Sequence, residues 1–328
     1  FFLSVPSVNA EPTLLSISQA IEIALKNNPD IRIEKENIQI QKAIQQMAAS
    51  RFDASLYFNT GIKENIRHST SLLETGITTR RFIQQKDVDW DLGWTKPAPW
   101  GGQYDLTLNY RRTDATLQKA NPTYFSDLSL VVTQPLLKGF GKKIVQGPLT
   151  IATTQTAISH QTFRARVMGM IQKIVSHYWD LTFQRENLRV QQASLTLAKQ
   201  LLERNQAKVS LGLLAPIEIT VAEVGVASRE EAVIVAKKGI RDVEDQLRFL
   251  MGQNDPNGLA EILPSDPPVD QETHLNQDDL LALALTERPE IKSMQLAMQN
   301  MDLSVRIAEN GIRPALNLVG ALGPSGVG

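Results

Sequence analysis

The chain has 328 residues, 42% apolar and 21% charged, a composition typical of folded proteins rather than disordered ones. Its formal net charge of −1 gives no bulk basic field of the kind that attracts nucleic acid. The absence of cysteine excludes disulfides, thiolate metal sites and a cysteine nucleophile. No stretch approaches the ~20 consecutive apolar residues of a membrane-spanning helix.

Residues 1–10, FFLSVPSVNA, have the pattern of a processed leader. Val8 and Ala10 fit positions −3 and −1 of a signal-peptidase site, behind an apolar stretch without its initiator methionine. The alternative is an ordinary frayed terminus. The first interpretation predicts a signal-peptide remnant and an exported protein.

One eight-residue motif occurs twice in similar form. ALKNNPDI occupies Ala24 to Ile31, ALTERPEI occupies Ala284 to Ile291, and their prolines stand 260 positions apart. The same offset aligns the flanking residues without a gap, as in the pairs Leu15/Leu275, Gln39/Gln299, Ala48/Ala308 and Leu56/Leu316. This regularity predicts an internal duplication. Residues 11–52 would form the N-terminal helices of the first repeat, and residues 275–328 the truncated start of the second.

Residues 53–134 show the two-residue period of β-strands. Four runs alternate apolar with polar residues, and most of the tryptophans and tyrosines cluster there, including Trp90, Trp94, Trp100, Tyr104 and Tyr110. A transmembrane β-barrel with an aromatic girdle has this pattern. A soluble, half-buried sheet has the same period, so the strands alone leave both interpretations open.

Residues 135–252 predict two very long helices. No proline interrupts the 64 residues from Pro148 to Leu211, which would span roughly 96 Å as a helix. Apolar residues recur there every seven positions, at Val167, Ile174, Leu181, Leu188, Leu195, Leu202 and Val209. A second set of positions with the same seven-residue spacing becomes polar from Arg185 onwards; we call these the companion positions. This predicts a helix that packs between neighbours in a wall and contacts water on one or both faces.

Gly212 and Pro216 separate the two helices. Glycine is common just after a helix C-terminus, and proline permits a new helix to begin. The second helix is expected to run for about 36 residues to Gly252, giving an antiparallel hairpin with its tip near 209–219. A helix from about Pro29 to Arg51 is expected to continue the shorter arm, and residues 253–274 are expected to be a linker.

Four motifs in this order resemble the TolC family of outer-membrane efflux proteins. They are the repeat opener LSISQAIEIALKNNPDI, the entry to the strands RFDASL, the exit QPLLKGFG and the tip VSLGLLAPIEI. The resemblance covers about residues 14–328. It implies a mainly α fold with β: a long helical hairpin in the wall of an α-barrel, and strands of a transmembrane β-barrel with extracellular loops.

The resemblance also implies a function. Family members are homotrimeric conduits of the outer membrane and periplasm, and they export substrates together with an inner-membrane pump and a periplasmic adaptor protein. The same match makes the tip residues the expected adaptor contacts, namely Lys208, Ser210, Gly212, Leu213, Leu214 and Ala215. Outer-membrane lipid would surround the girdle.

Two departures from the family pattern stand out. The family has two barrel strands per repeat, whereas four alternating runs occur here. The extra pair is expected either to form an extracellular hairpin or to enlarge the wall. The second-repeat tip that helps to form the family's gate lies outside this sequence, so no gate residue is assigned.

Nothing in the sequence indicates an enzyme. The four histidines, His68, His160, His177 and His274, have no metal-ligand spacing, and GFGKK lacks the full phosphate-loop pattern. We therefore expect no catalytic residue, no metal, no cofactor and no nucleic-acid partner. The alternatives to a channel are a periplasmic adaptor and a soluble coiled-coil scaffold.

Overall fold

The computed structural model describes residues 12–68, 82–116, 121–253, 260–268 and 276–328. The predicted signal-peptide remnant and most of the expected linker lie outside these ranges. The chain divides into two compact units, residues 1–37 with 160–292 and residues 38–159 with 293–328. Each unit is described by itself.

The fold is mainly helical, with one large sheet. Its elements in chain order are β1 (Thr13–Leu15), α1 (Ile17–Asn27), α2 (Pro29–Ala49), β2 (Ser55–His68), β3 (Phe82–Pro97), β4 (Gln103–Ala115), β5 (Thr123–Pro135), α3 (Lys142–Val145), α4 (Gly147–Ser210), α5 (Ile217–Leu250), β6 (Ile262–Pro264), α6 (Gln277–Glu287), α7 (Pro289–Gly311), β7 (Asn317–Leu322) and β8 (Ser325–Val327).

The predicted long helices are confirmed. Helix α4 has 64 residues and lies one position earlier than predicted, whereas α5 has 34 residues rather than about 36. Helix α2 begins at Pro29 as predicted and has 21 residues. Within the described residues, no helix is both long enough and apolar enough to cross a membrane.

The core of the first unit follows the heptad positions of α4. Ile174, Tyr178 and Leu181 are completely buried, and Leu247 and Met251 from the end of α5 are buried in the same unit. Helix α1 adds the buried residues Ala20 and Ala24 to this cluster. The heptad pattern therefore marks the face of α4 that is removed from water.

The start of α2 continues the shorter arm, as expected. Helix α5 ends at Leu250, and Gly252, two residues further on, has a φ of +68°, the left-handed conformation that glycine adopts without strain. A Cβ at Gly252 would approach the Asn27 carbonyl oxygen to 2.7 Å, so the junction between α1 and α2 lies directly against this end. Ile31 then enters the same core cluster.

A two-stranded parallel ribbon completes the first unit. Strands β1 and β6 pair with Thr13 opposite Ile262 and Leu15 opposite Pro264. The segment that we expected to be a linker thus contains a strand. A three-residue strand is too short to display a two-residue period, which is why the sequence did not indicate it.

The second unit is built on a six-stranded antiparallel sheet. Its order is β2-β3-β4-β5-β7, and β8 also pairs with β5. The four predicted runs are consecutive strands of this one sheet, so the extra pair enlarges it. The described strands do not close on themselves: β2 is one edge, and β7 with β8 forms the other.

A tight turn joins β3 to β4. The Ala98 amide donates to the Gly102 carbonyl at 2.7 Å, and the Gly101 amide donates to the Ala98 carbonyl at 3.0 Å. Gly101 has φ of +101°, and a Cβ there would lie 2.2 Å from the Gly139 carbonyl oxygen. Only glycine fits this position, because any side chain would displace the neighbouring backbone.

The duplication is visible in the backbone. Helices α1 and α6 both have 11 residues and begin 260 positions apart, after side-chain N-caps at Ser16 and Asn276. Helices α2 and α7 begin at the prolines with the same offset. Because α1 and α6 match in length and in side-chain N-cap, and α2 and α7 match in their start, the two segments are counterparts in structure as well as in sequence.

Candidate functional site

The sheet has one apolar face and one polar face. Residues directly opposite each other in an antiparallel pair place their side chains on the same face. The register therefore builds apolar rows across four strands, one of Leu56, Trp94, Leu106 and Leu130 and another of Phe58, Leu92, Leu108 and Leu128. Leu56 is 71% exposed and Ile62 is 73% exposed. A continuous exposed apolar surface of this kind marks contact with lipid or protein.

One aromatic row crosses this apolar face. Trp90 lies opposite Tyr110, and their rings stack with centroids 5.4 Å apart and planes 20° apart. Phe58 and Tyr124 extend the row, each with its ring centroid 6.4 Å from the next ring. The row spans β2 to β5.

The other predicted girdle residues lie elsewhere. Trp94 and Tyr104 are on the same apolar face, four and six residues from the Trp90–Tyr110 pair, or roughly 13 and 20 Å along the strands. Trp100 lies in the turn between β3 and β4 rather than on a strand. The five residues therefore separate into a stacked pair, a second group and a turn residue.

The polar face carries a row of amides and carboxylates. Asn59, Asp91, Asn109 and Asp127 lie opposite one another on successive strands. The Asn59 amide donates to Asp91 at 2.8 Å, and the Asn109 amide donates to Asp127 at 3.3 Å. Such a face is compatible with water and with dissolved ions.

This polar face is acidic on balance. The described residues of β2 to β5 place on it the five aspartates Asp87, Asp89, Asp91, Asp105 and Asp127. The basic side chains on the same face are Lys63, Arg67 and Arg111. An excess of carboxylates attracts cations, and the attraction is strongest in a confined space.

The predicted tip is a capped helix end. The Leu213 amide donates to the Lys208 carbonyl and the Gly212 amide to the Val209 carbonyl, both at 2.9 Å. Gly212 has φ of +72°, as the left-handed residue of this capping motif requires. The predicted role of Gly212 as a helix terminator is confirmed.

The side chains at the tip are open to solvent. Leu211 and Leu213 are each 72% exposed and Ile217 is 63% exposed, whereas Leu214 is half-buried. Lys208, Ser210 and Ala215 are also exposed. The structure thus brings all six predicted contact residues together at one helix junction.

Sequence reasoning missed a buried anchor in the first unit. The Tyr178 hydroxyl donates to the Leu15 carbonyl and accepts from the Ser265 and Asp266 amides, each at 3.0 Å. It therefore ties both strands of the β1–β6 ribbon to α4. Burial raises the pKa of Tyr178 above its usual value of 10.0. Tyr178 stands seven residues before Arg185, at a companion position of the heptad pattern, but that spacing did not indicate the hydroxyl partners.

The first unit also contains a buried ion pair. The side chain of Arg185, the first polar companion position of α4, is only 20% exposed and donates to Glu244 at 3.0 Å and to Glu261 at 2.9 Å. Glu244 is 5% exposed and also accepts from the Ile262 amide at 3.0 Å. The sequence did not indicate this pairing, because only the fold brings Glu244 of α5 and Glu261, just before β6, to Arg185.

An apolar groove lies in the second unit. Its volume is about 730 Å³, and its lining comes from α2, α4 and α7, including Ile44, Met47, Ile151 and Ile307. Within the described ranges, no group of His, Asp and Glu side chains could hold a metal ion. His274 lies outside those ranges.

The comparisons with known proteins identify the fold. No family model matches the chain. Nodulation protein T of Rhizobium leguminosarum bv. trifolii is 22% identical over 263 residues, which cover 78% of this chain and 56% of that protein. The outer-membrane channel OprN is 15% identical, with a TM-score of 0.66, over 95% of this chain and 62% of that chain. The Campylobacter jejuni outer-membrane channel CmeC is also 15% identical, with a TM-score of 0.60, over 95% and 60% of the two chains.

These matches confirm the predicted resemblance at the level of the fold. The chain has the fold of TolC-family outer-membrane channels. It spans less than two thirds of the length of each of the three proteins just compared.

Proposed function

We propose that the protein is the outer-membrane channel of a tripartite efflux or type I secretion system. Its sheet lies in the outer membrane as part of a β-barrel, and its long helices form part of an α-barrel in the periplasm. Three copies make one conduit. A periplasmic adaptor and an inner-membrane pump complete the assembly.

The observation that carries the proposal is the two-faced sheet, whose edges have no partner among the described strands. An exposed edge strand and an exposed apolar face both destabilise an isolated sheet in water. Further strands that close the sheet pair the amides and carbonyls of its edges, and a bilayer removes its apolar face from water. The similarity to outer-membrane channels supports the same assignment.

The two faces take different roles in this proposal. The apolar face contacts lipid, with Trp90 and Tyr110 at one level and Trp94 and Tyr104 nearer the other boundary of the bilayer. Trp100, in the tight turn between β3 and β4, lies at the same boundary of the bilayer as Trp94 and Tyr104. Outer-membrane barrels have aromatic girdles at both interfaces of an apolar band about 25 Å tall. The acidic face lines the conduit.

The tip residues Lys208, Ser210, Gly212, Leu213, Leu214 and Ala215 contact the adaptor in this proposal. Apolar side chains exposed at a helix junction are stabilised when a partner removes them from water. Leu213 supplies the largest such surface of the six. Gly212 acts indirectly, since its backbone conformation forms the turn.

A fractionation and conductance experiment tests the proposal. The protein is produced behind a secretory signal peptide in a Gram-negative host, and the membranes of the host are separated on a density gradient. We expect it in the outer-membrane fraction, extractable only with detergent, trimeric by light scattering, and conducting in a planar bilayer. A monomer released into plain buffer would exclude the channel and favour the soluble coiled-coil scaffold or the adaptor.

A further inference from the structure

The apolar face of the sheet carries balanced charges at one of its ends. Glu64, Lys86 and Asp114 lie opposite one another on successive strands, so two carboxylates flank one ammonium group. Arg112, on the same face, pairs with Asp114 at 3.0 Å. We call this end the far end of the sheet, and the end at the tight turn between β3 and β4 the turn end.

The turn end of the same face carries positive charge without a carboxylate. Lys96 lies there opposite Tyr104 and is exposed. From the row of Trp94 to this end, the described strands place no aspartate or glutamate on the apolar face. Lys86 and Lys96 are separated by roughly 33 Å along β3, or about 25 Å across a bilayer if the strand is tilted by about 40°. The two lysines therefore lie at the two boundaries of an apolar band of membrane height.

Three further lysines follow at the turn end. The segment 136–143, LLKGFGKK, runs from the end of β5 into α3 and contains no acidic residue. Its lysines are all exposed, and within the described residues no lysine of this end forms an ion pair. We call this group the basic rim, and its members are Lys96, Lys138, Lys142 and Lys143.

The segment that carries three of these lysines has a fixed backbone. The Asn310 side chain accepts from the Gly139 amide at 2.7 Å and donates to the Leu137 carbonyl at 3.2 Å. The Gly141 amide donates to the Trp100 carbonyl at 3.2 Å. Gly139 and Gly141 have φ of +78° and +100°, which glycine adopts without strain. The segment is therefore attached to α7 on one side and to the tight turn on the other.

Trp100 shows that the tight turn reaches the apolar face. Gln134 lies on that face by the alternation along β5. A Cβ at Gly102 would lie 2.8 Å from the Gln134 side-chain oxygen and 3.0 Å from the Trp100 indole nitrogen. The indole is 46% exposed and thus lies over the apolar face at the turn end.

Two exposed apolar side chains stand between the basic rim and this face. The Leu136 amide donates to the Leu316 carbonyl at 2.8 Å, which continues the pairing of β5 with β7 and places the Leu136 side chain on the apolar face. Leu136 is 41% exposed, and Phe140, between Lys138 and Lys142 in sequence, is 50% exposed. The basic rim is therefore continuous with an apolar surface.

We propose that the basic rim binds the headgroups of anionic phospholipids in the periplasmic leaflet of the outer membrane. The inference rests on the proposed function, which places the apolar face in lipid and the helices that follow the turn end in the periplasm. Lysine side chains pack their stems along apolar surface, and their ammonium groups attract anionic headgroups. The balanced charges of the far end provide no such attraction, so the surface distinguishes the two leaflets.

Tryptophan quenching measures which lipid lies against the basic rim. Trp100 is kept as the only tryptophan, and the assembled protein is placed in nanodiscs of phosphatidylcholine with a minor share of phosphatidylglycerol. In one sample the phosphatidylglycerol carries bromine on its acyl chains, and in the other an equal amount of the phosphatidylcholine does. We expect the quenching of Trp100 to report an enrichment of phosphatidylglycerol of about fivefold or more. High salt should reduce this enrichment, because it screens exposed charges.

Substitutions connect the enrichment to the basic rim. Replacing all four lysines with glutamine should make the two lipids quench Trp100 equally, while light scattering shows the same oligomer. Replacing them with arginine keeps the charge and should keep the enrichment. Lys86→Gln, at the far end, is the control and should change nothing. Trp90 as the only tryptophan, six residues from Lys96 along β3, should show no preference between the lipids.

The outcomes separate this inference from the proposed function. Equal quenching of Trp100 by the two lipids overturns lipid binding by the basic rim and leaves the channel assignment standing. An enrichment that persists in the glutamine variant does the same. If neither lipid quenches Trp100 or Trp90, the sheet does not lie in a bilayer and both proposals fail.

Discussion

The side-chain amide of Asn28 donates a hydrogen bond of 2.8 Å to the carbonyl of Leu250, the last residue of α5. The oxygen of the same side chain accepts from the Asp30 amide at 2.8 Å. Asn28 is 5% exposed. One buried side chain thus satisfies the end of one helix and the beginning of another, and so holds α2 in line with the shorter arm.

Replacing Asn28 with alanine should weaken this junction. The Leu250 carbonyl and the first amides of α2 would lose their partners away from water. We expect the free energy of unfolding to fall by about 1–2 kcal/mol, as measured by chemical denaturation in detergent. Asn27→Ala, at the exposed neighbouring position, is the control and should change it by less than about 0.5 kcal/mol. Equal effects of the two substitutions would contradict the assignment.

Tyr178 should make the protein sensitive to alkaline pH. Because burial raises its pKa, the unfolded chain loses the phenolic proton first as the pH rises. The stability that depends on the neutral hydroxyl is therefore complete below about pH 10 and declines as the pH rises towards the higher folded-state pKa. Denaturation curves at pH 8 and pH 11 measure this decline.

Tyr178→Phe isolates the contribution of that hydroxyl. The substitution leaves the Ser265 and Asp266 amides without an acceptor, so we expect a loss of about 1–3 kcal/mol at neutral pH. The variant should then lose less stability than the wild type between pH 8 and pH 11. An alkaline decline of unchanged size in the variant would show that other groups cause it.

Bromine-labelled lipids should distinguish the tryptophans. If the apolar face contacts lipid, the fluorescence of Trp90 and Trp94 is quenched when brominated acyl chains surround the protein. Trp179, on α4 in the first unit, should show no comparable quenching. Variants that retain a single tryptophan allow each position to be measured. Quenching of Trp179 alone would refute the orientation of the sheet.

Charge removal on the polar face should alter ion selectivity. Asp89→Asn with Asp91→Asn removes two of the five aspartates from the face proposed to line the conduit. We expect the ratio of cation to anion permeability, measured from reversal potentials in a salt gradient, to decrease. Glu64→Gln lies on the other face of β2 and should leave the ratio unchanged. An unchanged ratio for the aspartate variant and a lower ratio for Glu64→Gln would show that the other face of the sheet lines the conduit.

Leu213→Asp should impair export without unfolding the protein. The side chain is 72% exposed, so its replacement removes little internal packing. If an adaptor covers it, a charge there disfavours the complex, because the carboxylate would be desolvated without a partner. The measurement is restoration of export in cells that lack their own channel, with Gln206→Asp as an exposed control on α4. Full activity of Leu213→Asp would exclude this residue from the contact.

Much of the helical architecture was readable from the sequence because helix ends depend on local chemistry. Gly212 and Pro216 delimit the two long helices through backbone conformation alone. Pro29 and Pro289 mark the starts of α2 and α7 and also reveal the duplication. The strands β2 to β5 were predicted for a related reason, since a two-residue period follows from the geometry of one strand.

The contacts between distant segments were not readable in this way. The sequence left open whether the four strands share one sheet, and the register that stacks Trp90 on Tyr110 decided it. The sequence marked Arg185 only as a polar position, and the fold supplied its partners Glu244 and Glu261. Periodicity states which side of an element avoids water but does not identify what covers that side.

The sequence by itself therefore determined the lengths, ends and repetition of the elements. Only the tertiary structure decided which faces are covered and that Tyr178 holds the ribbon. The physical reason is that hydrogen bonds within a helix and the alternation of a strand arise between near neighbours. Burial arises between residues that the chain brings together across more than a hundred positions, as Tyr178 and Leu15 show.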